Sequence, residues 1–354
     1  MTNATLLVPG LLDTPTGGYN YDRRIVEGLG ALGWTVTVVE LDDSFPFPTE
    51  AARAAAAGRL AAMPDGALVL ADGLAYGAMP DEAAREAARL RLVALVHHPL
   101  AAETGLAPTT AARLVDSERR ALSHARLVVV TSKATAASLS AYGVAPERIR
   151  VVEPGTDQAP LAVGSGSSTP ELLTVASVTP RKGHETLFRA LATLGALPWR
   201  LTCVGSFWRD PALVLRLKNI LRAGEIEDRV TFVGDVSPES VGDHYARADV
   251  FVLPTRYEGY GMAVAEAVAR GLPVVSTPVG GIPEIVGDSA GLLLPPGRVG
   301  VLADALALVL TDASVRERLG EGARRMRLRL PVWGAQAARM GEVLREAAGD
   351  GVQR

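Results

Sequence analysis

The stretch Val250-Phe251-Val252-Leu253-Pro254-Thr255-Arg256-Tyr257-Glu258-Gly259-Tyr260-Gly261-Met262-Ala263-Val264-Ala265-Glu266 reads as a strand, a turn and the start of a helix. The run 250–253 is apolar without alternation, as expected of a strand covered on both faces. Gly259 and Gly261 let backbone N–H groups approach a ligand with no Cβ in the way. At a helix N-terminus those N–H groups are unpaired and favour an anion or a polyhydroxyl. Glu258 precedes them, and Glu266 is the ionisable group lying between Met262 and Val268. A bland reading stays open here: Glu258 as a solvated loop acid, and Glu266 as the i,i+4 partner of Arg270.

The same βα grammar repeats along the 354 residues. Apolar runs at 4–8, 35–40, 67–71, 92–96, 127–131 and 149–152 alternate with Ala/Leu/Arg-rich helical stretches. A second series follows at 172–176, 200–204, 230–233, 250–253, 273–276 and 291–294. Gly164-Ser165-Gly166-Ser167-Ser168 separates the two series and reads as a flexible linker. The expected fold is therefore α/β, with two doubly wound domains facing across a cleft and ligands at the carboxyl ends of the strands. The expected divisions are residues 1–163, residues 164–330, and a closing amphipathic helix within 331–354.

Composition narrows the function classes. Net charge is −3, with 14 Lys/Arg against 18 Asp/Glu in residues 1–160, so no basic field recruits nucleic acid or an anionic membrane. The single cysteine, Cys203, excludes a disulfide within the chain and reads as a buried structural thiol. No basic n-region precedes the short apolar run at the N-terminus, and no apolar stretch has the length of a spanning helix. A cytoplasmic protein is expected.

Three further segments suit phosphate and sugar chemistry. Ser177-Val178-Thr179-Pro180-Arg181-Lys182-Gly183 follows a strand and sets a guanidinium fork beside an ammonium, a pair suited to a diphosphate. Only three of the 36 basic residues are lysines, so Lys182 departs from the chain's habit. No Walker A pattern is present. Gly17 and Gly18 open a helix after the first strand, where a backbone can approach phosphate. His97 and His98 end the strand 92–96, where a histidine could meet a sugar or an acceptor. A zinc site is not expected, because no carboxylate or cysteine lies at ligand spacing from either histidine. His124, His184 and His244 read as structural.

Taken together, the Glu-x7-Glu stretch, the Arg-Lys-Gly turn, the Gly-Gly loop and Ala248-Asp249-Val250-Phe251-Val252-Leu253-Pro254 resemble the family 4 retaining glycosyltransferases of the GT-B fold. Pro154-Gly155-Thr156-Asp157 and Gly271-Leu272-Pro273-Val274-Val275 match the same family. The resemblance spans nearly the whole chain and is dense between about 172 and 295. It implies two Rossmann-like domains and a retaining, metal-independent transfer of a hexose from a nucleotide sugar, a UDP-hexose first among them. It implies no cofactor. Glu258 would meet hydroxyls of the donor hexose, and Gly259, Tyr260, Gly261 and Met262 would lie near sugar and phosphate. Glu266 would hold the ribose. Arg181 and Lys182 would neutralise the diphosphate with help from Gly17 and Gly18. The base would lie near Gly234-Asp235-Val236. His97, or His98 in the other register, would lie near the sugar's primary hydroxyl. The leaving phosphate would take the acceptor's proton, and the closing helix would cross back to the first domain.

The acceptor region is expected around Tyr19, residues 72–76, His97/His98 and residues 103–106, and a small soluble acceptor fits better than a lipid. An amphipathic helix could still touch a membrane surface. The oligomeric state is not readable. A nicotinamide-dependent dehydrogenase lacks its Gly-x-Gly-x-x-Gly turn here. A nucleotide-sugar 2-epimerase of the same fold and a non-catalytic nucleotide-sugar-binding module remain as alternatives.

Overall fold

The computed structural model describes residues 2–208 and 210–349. The chain divides into two compact units, one formed by the residues up to Gly155 together with those from Pro331, the other by Thr156–Leu330.

The first unit is a parallel sheet of β1 (Thr2–Pro9), β2 (Trp34–Leu41), β3 (Leu68–Asp72), β4 (Arg91–Val96), β5 (Leu127–Val130) and β6 (Ile149–Val151). The order is β2-β1-β3-β4-β5-β6, so the winding reverses between β1 and β3. Successive side chains of a strand point to opposite faces. Leu92, Ala94 and Val96 of β4 accordingly join one apolar cluster, while Val93 and Leu95 are buried on the other face. The helix Trp333–Ala348 touches β3, β4 and the helix Gly17–Ala31. Its approach relies on two glycines. A Cβ on Gly28 would stand 2.4 Å from Ala337 Cβ, and one on Gly155 would stand 2.3 Å from the Trp333 nitrogen.

The second unit repeats the plan with β7 (Glu171–Val175), β8 (Arg200–Val204), β9 (Val230–Gly234), β10 (Val250–Leu253), β11 (Val274–Ser276) and β12 (Gly291–Leu293). The order is β12-β11-β10-β7-β8-β9, with the reversal between β7 and β10. Val250 and Val252 face one apolar cluster and Phe251 and Leu253 the other, which is why 250–253 shows no polar alternation. All twelve strands expected from the sequence are present, with ends displaced by at most two residues. Cys203 is buried, and its environment pushes the thiol far above its usual range. No helix among the described residues is long and apolar enough to cross a membrane.

The Gly/Ser run is not a free linker. The divisions of the chain fall at Gly155/Thr156 and Leu330/Pro331, so the run lies inside the second unit. Asp249 there accepts hydrogen bonds from Ser165 N (3.1 Å), Ser165 Oγ (2.6 Å) and Glu171 N (2.8 Å). Gly164 N donates to Ala246 O at 3.1 Å. Composition spoke for freedom, but one carboxylate from the residue before β10 organises the run into a turn.

Candidate functional site

In an open α/β sheet the crevice at the carboxyl ends of the strands, where the winding reverses, is where ligands bind. In the second unit that place lies between β7 and β10, and both carry charged residues just beyond their ends. Pro180–Lys182 forms a short 3-10 turn after β7. Gly183 follows with φ of 79°, and a Cβ there would stand 2.0 Å from Pro254 O. The turn therefore sits directly against the end of β10. Thr255 fixes it further: its hydroxyl lies 3.0 Å from the carbonyl oxygens of both Arg181 and Tyr257. Arg256 N donates to Arg181 O at 2.7 Å.

These bonds bring Arg181, Lys182 and Glu258 together. Lys182 Nζ donates to Glu258 Oε1 at 2.5 Å, and Arg181 Nη1 lies 3.7 Å from Oε2 while donating to Tyr257 O at 2.9 Å. Glu258 is only 7% exposed, so it is no solvated loop acid. Burial pushes its pKa up, but the charges of Lys182 and Arg181 outweigh burial and hold it below the ordinary carboxylate value. The result is an ionised acid braced between two cations.

The glycine loop that follows is shaped by its neighbours. Gly261 caps the helix Met262–Ala269 with φ of 107°, and Tyr260 is buried. Gly281 N donates to Gly259 O at 3.2 Å. Met262, half-buried, opens the helix. Glu266 lies half-buried one turn further, its pKa raised by burial despite Tyr245 and Arg270 nearby. Arg270 Nη1 donates to the backbone carbonyl of Glu266 at 3.1 Å, and its guanidinium stacks 4.7 Å over the Tyr245 ring. The simple i,i+4 carboxylate pair is thus replaced by a backbone bond and a stack. Val236, two residues past β9, is half-buried against the cluster that holds Tyr245 and Phe251.

In the first unit the reversal lies between β1 and β3, and a second cluster forms beside it. Thr16 caps the helix Gly17–Ala31, its hydroxyl accepting from Tyr19 N. Gly18 sits against His97: an added Cβ would lie 3.4 Å from His97 Cδ2. His97 Nε2 stands 3.1 Å from Asp22 Oδ1 and 3.3 Å from Asp72 Oδ2. Asp22 and Asp72 are buried, and the Tyr21 ring lies edge-on to His97 at 5.3 Å. Burial by itself would lower the His97 pKa, yet Asp22 and Asp72 raise it to about 10, while burial pushes Asp22 to about 6. His98 takes no part in this cluster and lies 3.9 Å from Glu103.

No carboxylate lies at ligand spacing from either histidine along the sequence, but the fold brings two of them to His97. Asp22 and Asp72 are 75 and 25 positions away in sequence, and adjacency of β1, β3 and β4 brings them in. Sequence reading named Asp72 only as part of the acceptor region and missed Asp22. The position of Asp72 at the end of β3, next to the reversal, was the available signal. Among the described residues Asp22, Asp72 and His97 offer three potential ligand atoms within 4.8 Å of one another. His97 Nε2 lies within hydrogen-bond distance of both acids, which is enough to account for the close approach. His184 is buried against Phe188, with burial and then Lys182 lowering its pKa to about 4, in keeping with a structural role.

Known proteins give this geometry a family. A D-inositol 3-phosphate glycosyltransferase of Kineococcus radiotolerans is 31% identical over 277 residues, covering 71% of this chain. The chain spans 63% of that relative's length. Sucrose-phosphate synthase from Thermosynechococcus elongatus matches over 99% of this chain and 100% of its own, with a TM-score of 0.84 at 23% identity. HepE of Anabaena, solved in complex with UDP-glucose, matches over 98% of this chain and 100% of its own, with a TM-score of 0.76 at 18% identity. The model for Glycosyltransferase Family 4 matches residues 16–159, and that for Glycosyl transferases group 1 matches residues 161–326. The chain belongs to glycosyltransferase family 4 and has the GT-B fold.

Proposed function

We propose that this protein transfers a hexose, with retention of anomeric configuration, from a nucleoside diphosphate sugar to a hydroxyl of a small acceptor. The observation that carries this reading is the buried Lys182–Glu258 pair with Arg181 beside it, at the winding reversal of the second unit. Glycosyl transfer needs charge stabilisation on the departing diphosphate more than it needs a nucleophile. Arg181 and Lys182 supply two cations there. Glu258, kept ionised, accepts hydroxyls of the hexose, and Glu266 accepts those of the ribose. The bond from the anomeric carbon to the leaving phosphate breaks as the acceptor oxygen bonds that carbon, and the leaving phosphate takes the acceptor's proton. These groups need no metal. A UDP-hexose is the first donor to try, since HepE was solved with UDP-glucose. The name of the Kineococcus relative supports a small polyol acceptor over a lipid.

A thermal-shift screen with UDP, GDP and ADP, their hexose conjugates, and inorganic pyrophosphate tests the donor reading. One nucleoside diphosphate should raise Tm well beyond pyrophosphate, because ligand bound at 100 times its Kd adds about 2.7 kcal/mol. No shift from any nucleotide would sink the reading. Product NMR then reads the anomeric configuration, and activity that vanished with chelator would contradict the metal-free route.

A further inference from the structure

Two buried carboxylates converge on one imidazole nitrogen in the first unit, and the proposed transfer gives neither acid a role. His97 Nε2 lies within hydrogen-bond reach of Asp22 Oδ1 and Asp72 Oδ2, at 3.1 and 3.3 Å. An unprotonated Nε2 would present its lone pair to both acids, so two ionised acids require Nε2–H on the ring. A neutral ring of that kind still leaves two negative charges buried, at 1% and 3% exposure. A second ring proton adds a positive charge that offsets one of them, and desolvated like charges make that compensation strong.

The surroundings leave little else to do it. From the helix Gly17–Ala31 the titratable neighbours are Asp22 and Tyr21, whose hydroxyl donates to Val152 O at 2.9 Å. From the end of β3 comes Asp72, which also caps the next turn by accepting from Leu74 N at 2.7 Å. Just beyond β5, Thr131 gives an uncharged hydroxyl to His97 O at 3.2 Å. The helix Trp333–Ala348 contributes Trp333, which packs on Tyr21 and carries no titratable group. Gly18 lies over the ring, where an added Cβ would come into van der Waals contact with it.

We propose that Asp22 and Asp72 are positioning residues that fix His97 as an imidazolium, its Nε2–H held inside the protein, so that the ring offers a ligand a charged Nδ1–H donor and serves no step as a base. The inference rests on the reading in which His97 meets the transferred sugar. It adds the polarity of that contact: the ligand atom facing His97 accepts a hydrogen bond, as a hydroxyl or phosphate oxygen does. The raised pKa of His97, about 10, agrees with the geometry.

Long-range 1H–15N correlation on the 15N-labelled full chain tests this from pH 5.5 to 9. The chain has five histidines, and His97 is assigned by the resonances lost in H97Q. Both ring nitrogens of His97 should keep the protonated signature throughout. In D22N/D72N, whose amides keep the shape and can still cap, the midpoint should drop by two or more pH units. A wild-type His97 titrating near 6.5 would overturn the proposal. So would an imidazolium that persists to pH 9 in a folded double variant, or a stoichiometric metal in the purified protein that D22N releases. If the double variant fails to fold, the wild-type titration decides alone. No turnover is needed, so an imidazolium in a protein that binds no nucleotide would sink the transferase reading and leave this one standing.

Discussion

Replacing Lys182 with Ala is expected to lower kcat/KM for donor transfer by about a thousandfold, the scale of losing one preorganised charge-stabilising group. It should also destabilise the protein by about 3–5 kcal/mol, because it strands a buried carboxylate. Burial of Glu258 and its 2.5 Å bond to Lys182 are why folding should suffer along with turnover. The two losses separate in a double variant. K182M/E258Q removes both charges and should recover most of the stability while activity stays low, since neither the diphosphate cation nor the hydroxyl acceptor returns. A pH series supplies an independent reading. Glu258 is held below its ordinary value of 4.5 in the folded protein, so the pair's stabilisation is complete above that value and fades as pH falls through the depressed one. In Lys182→Ala the buried acid loses its strongest partner and its pKa should rise, so acidification should stabilise the variant where it destabilises the wild type. Urea melts at pH 5 and pH 3.5, which span the fall from the ordinary value towards the depressed one, compare the two slopes. Equal slopes, or near-normal turnover in Lys182→Ala, would remove the pair from the site.

What the sequence disclosed follows from which interactions are local. A parallel strand covered on both faces writes itself as an uninterrupted apolar run, and 250–253 could be read without knowing its neighbours. The Arg181-Lys182-Gly183 turn and the Gly-rich helix start were legible for the same reason: each is a few consecutive residues at the end of a strand. The pairing of Lys182 with Glu258 was not, since 76 positions separate them and only the order β10-β7 makes them neighbours. Read singly, each was a contact to ligand; folded, each is also the other's counter-charge. Asp22 escaped entirely, because nothing near it in sequence separates it from a surface acid on a helix. Its meaning comes from β4 lying beside β3 and β3 beside β1. The Gly/Ser run failed in the opposite direction. Its composition is that of a linker, and the Asp249 carboxylate that orders it lies 84 positions from Ser165.

The second large effect is expected from Gly280→Ala, a change remote in sequence from every charged residue of the site. Gly280 has φ of 58°, a conformation that costs an L-residue about 1–2 kcal/mol. Sterics add to that. An added Cβ would stand 2.1 Å from Glu258 O, 2.7 Å from Glu258 C and 2.8 Å from Gly259 O, all backbone atoms that no rotamer change can clear. The neighbouring Gly281 leaves no slack, since its own Cβ would stand 2.8 Å from Tyr260 O. Relief must come from moving the 258–260 backbone by about an ångström, and a displacement of that size at a reacting centre costs about a hundredfold in rate. We therefore expect kcat/KM to fall by about 10²-fold or more, together with a lowered Tm. Gly297→Ala is the matched control. Its φ is 75°, yet nothing lies within 4 Å of the added Cβ, so it bears the conformational cost without the clash. It should lose about 1–2 kcal/mol of stability and none of its turnover. Kinetics and melting of the two variants side by side decide the matter: if Gly280→Ala behaves like Gly297→Ala, the position of the Glu258 carbonyl is not what the site depends on.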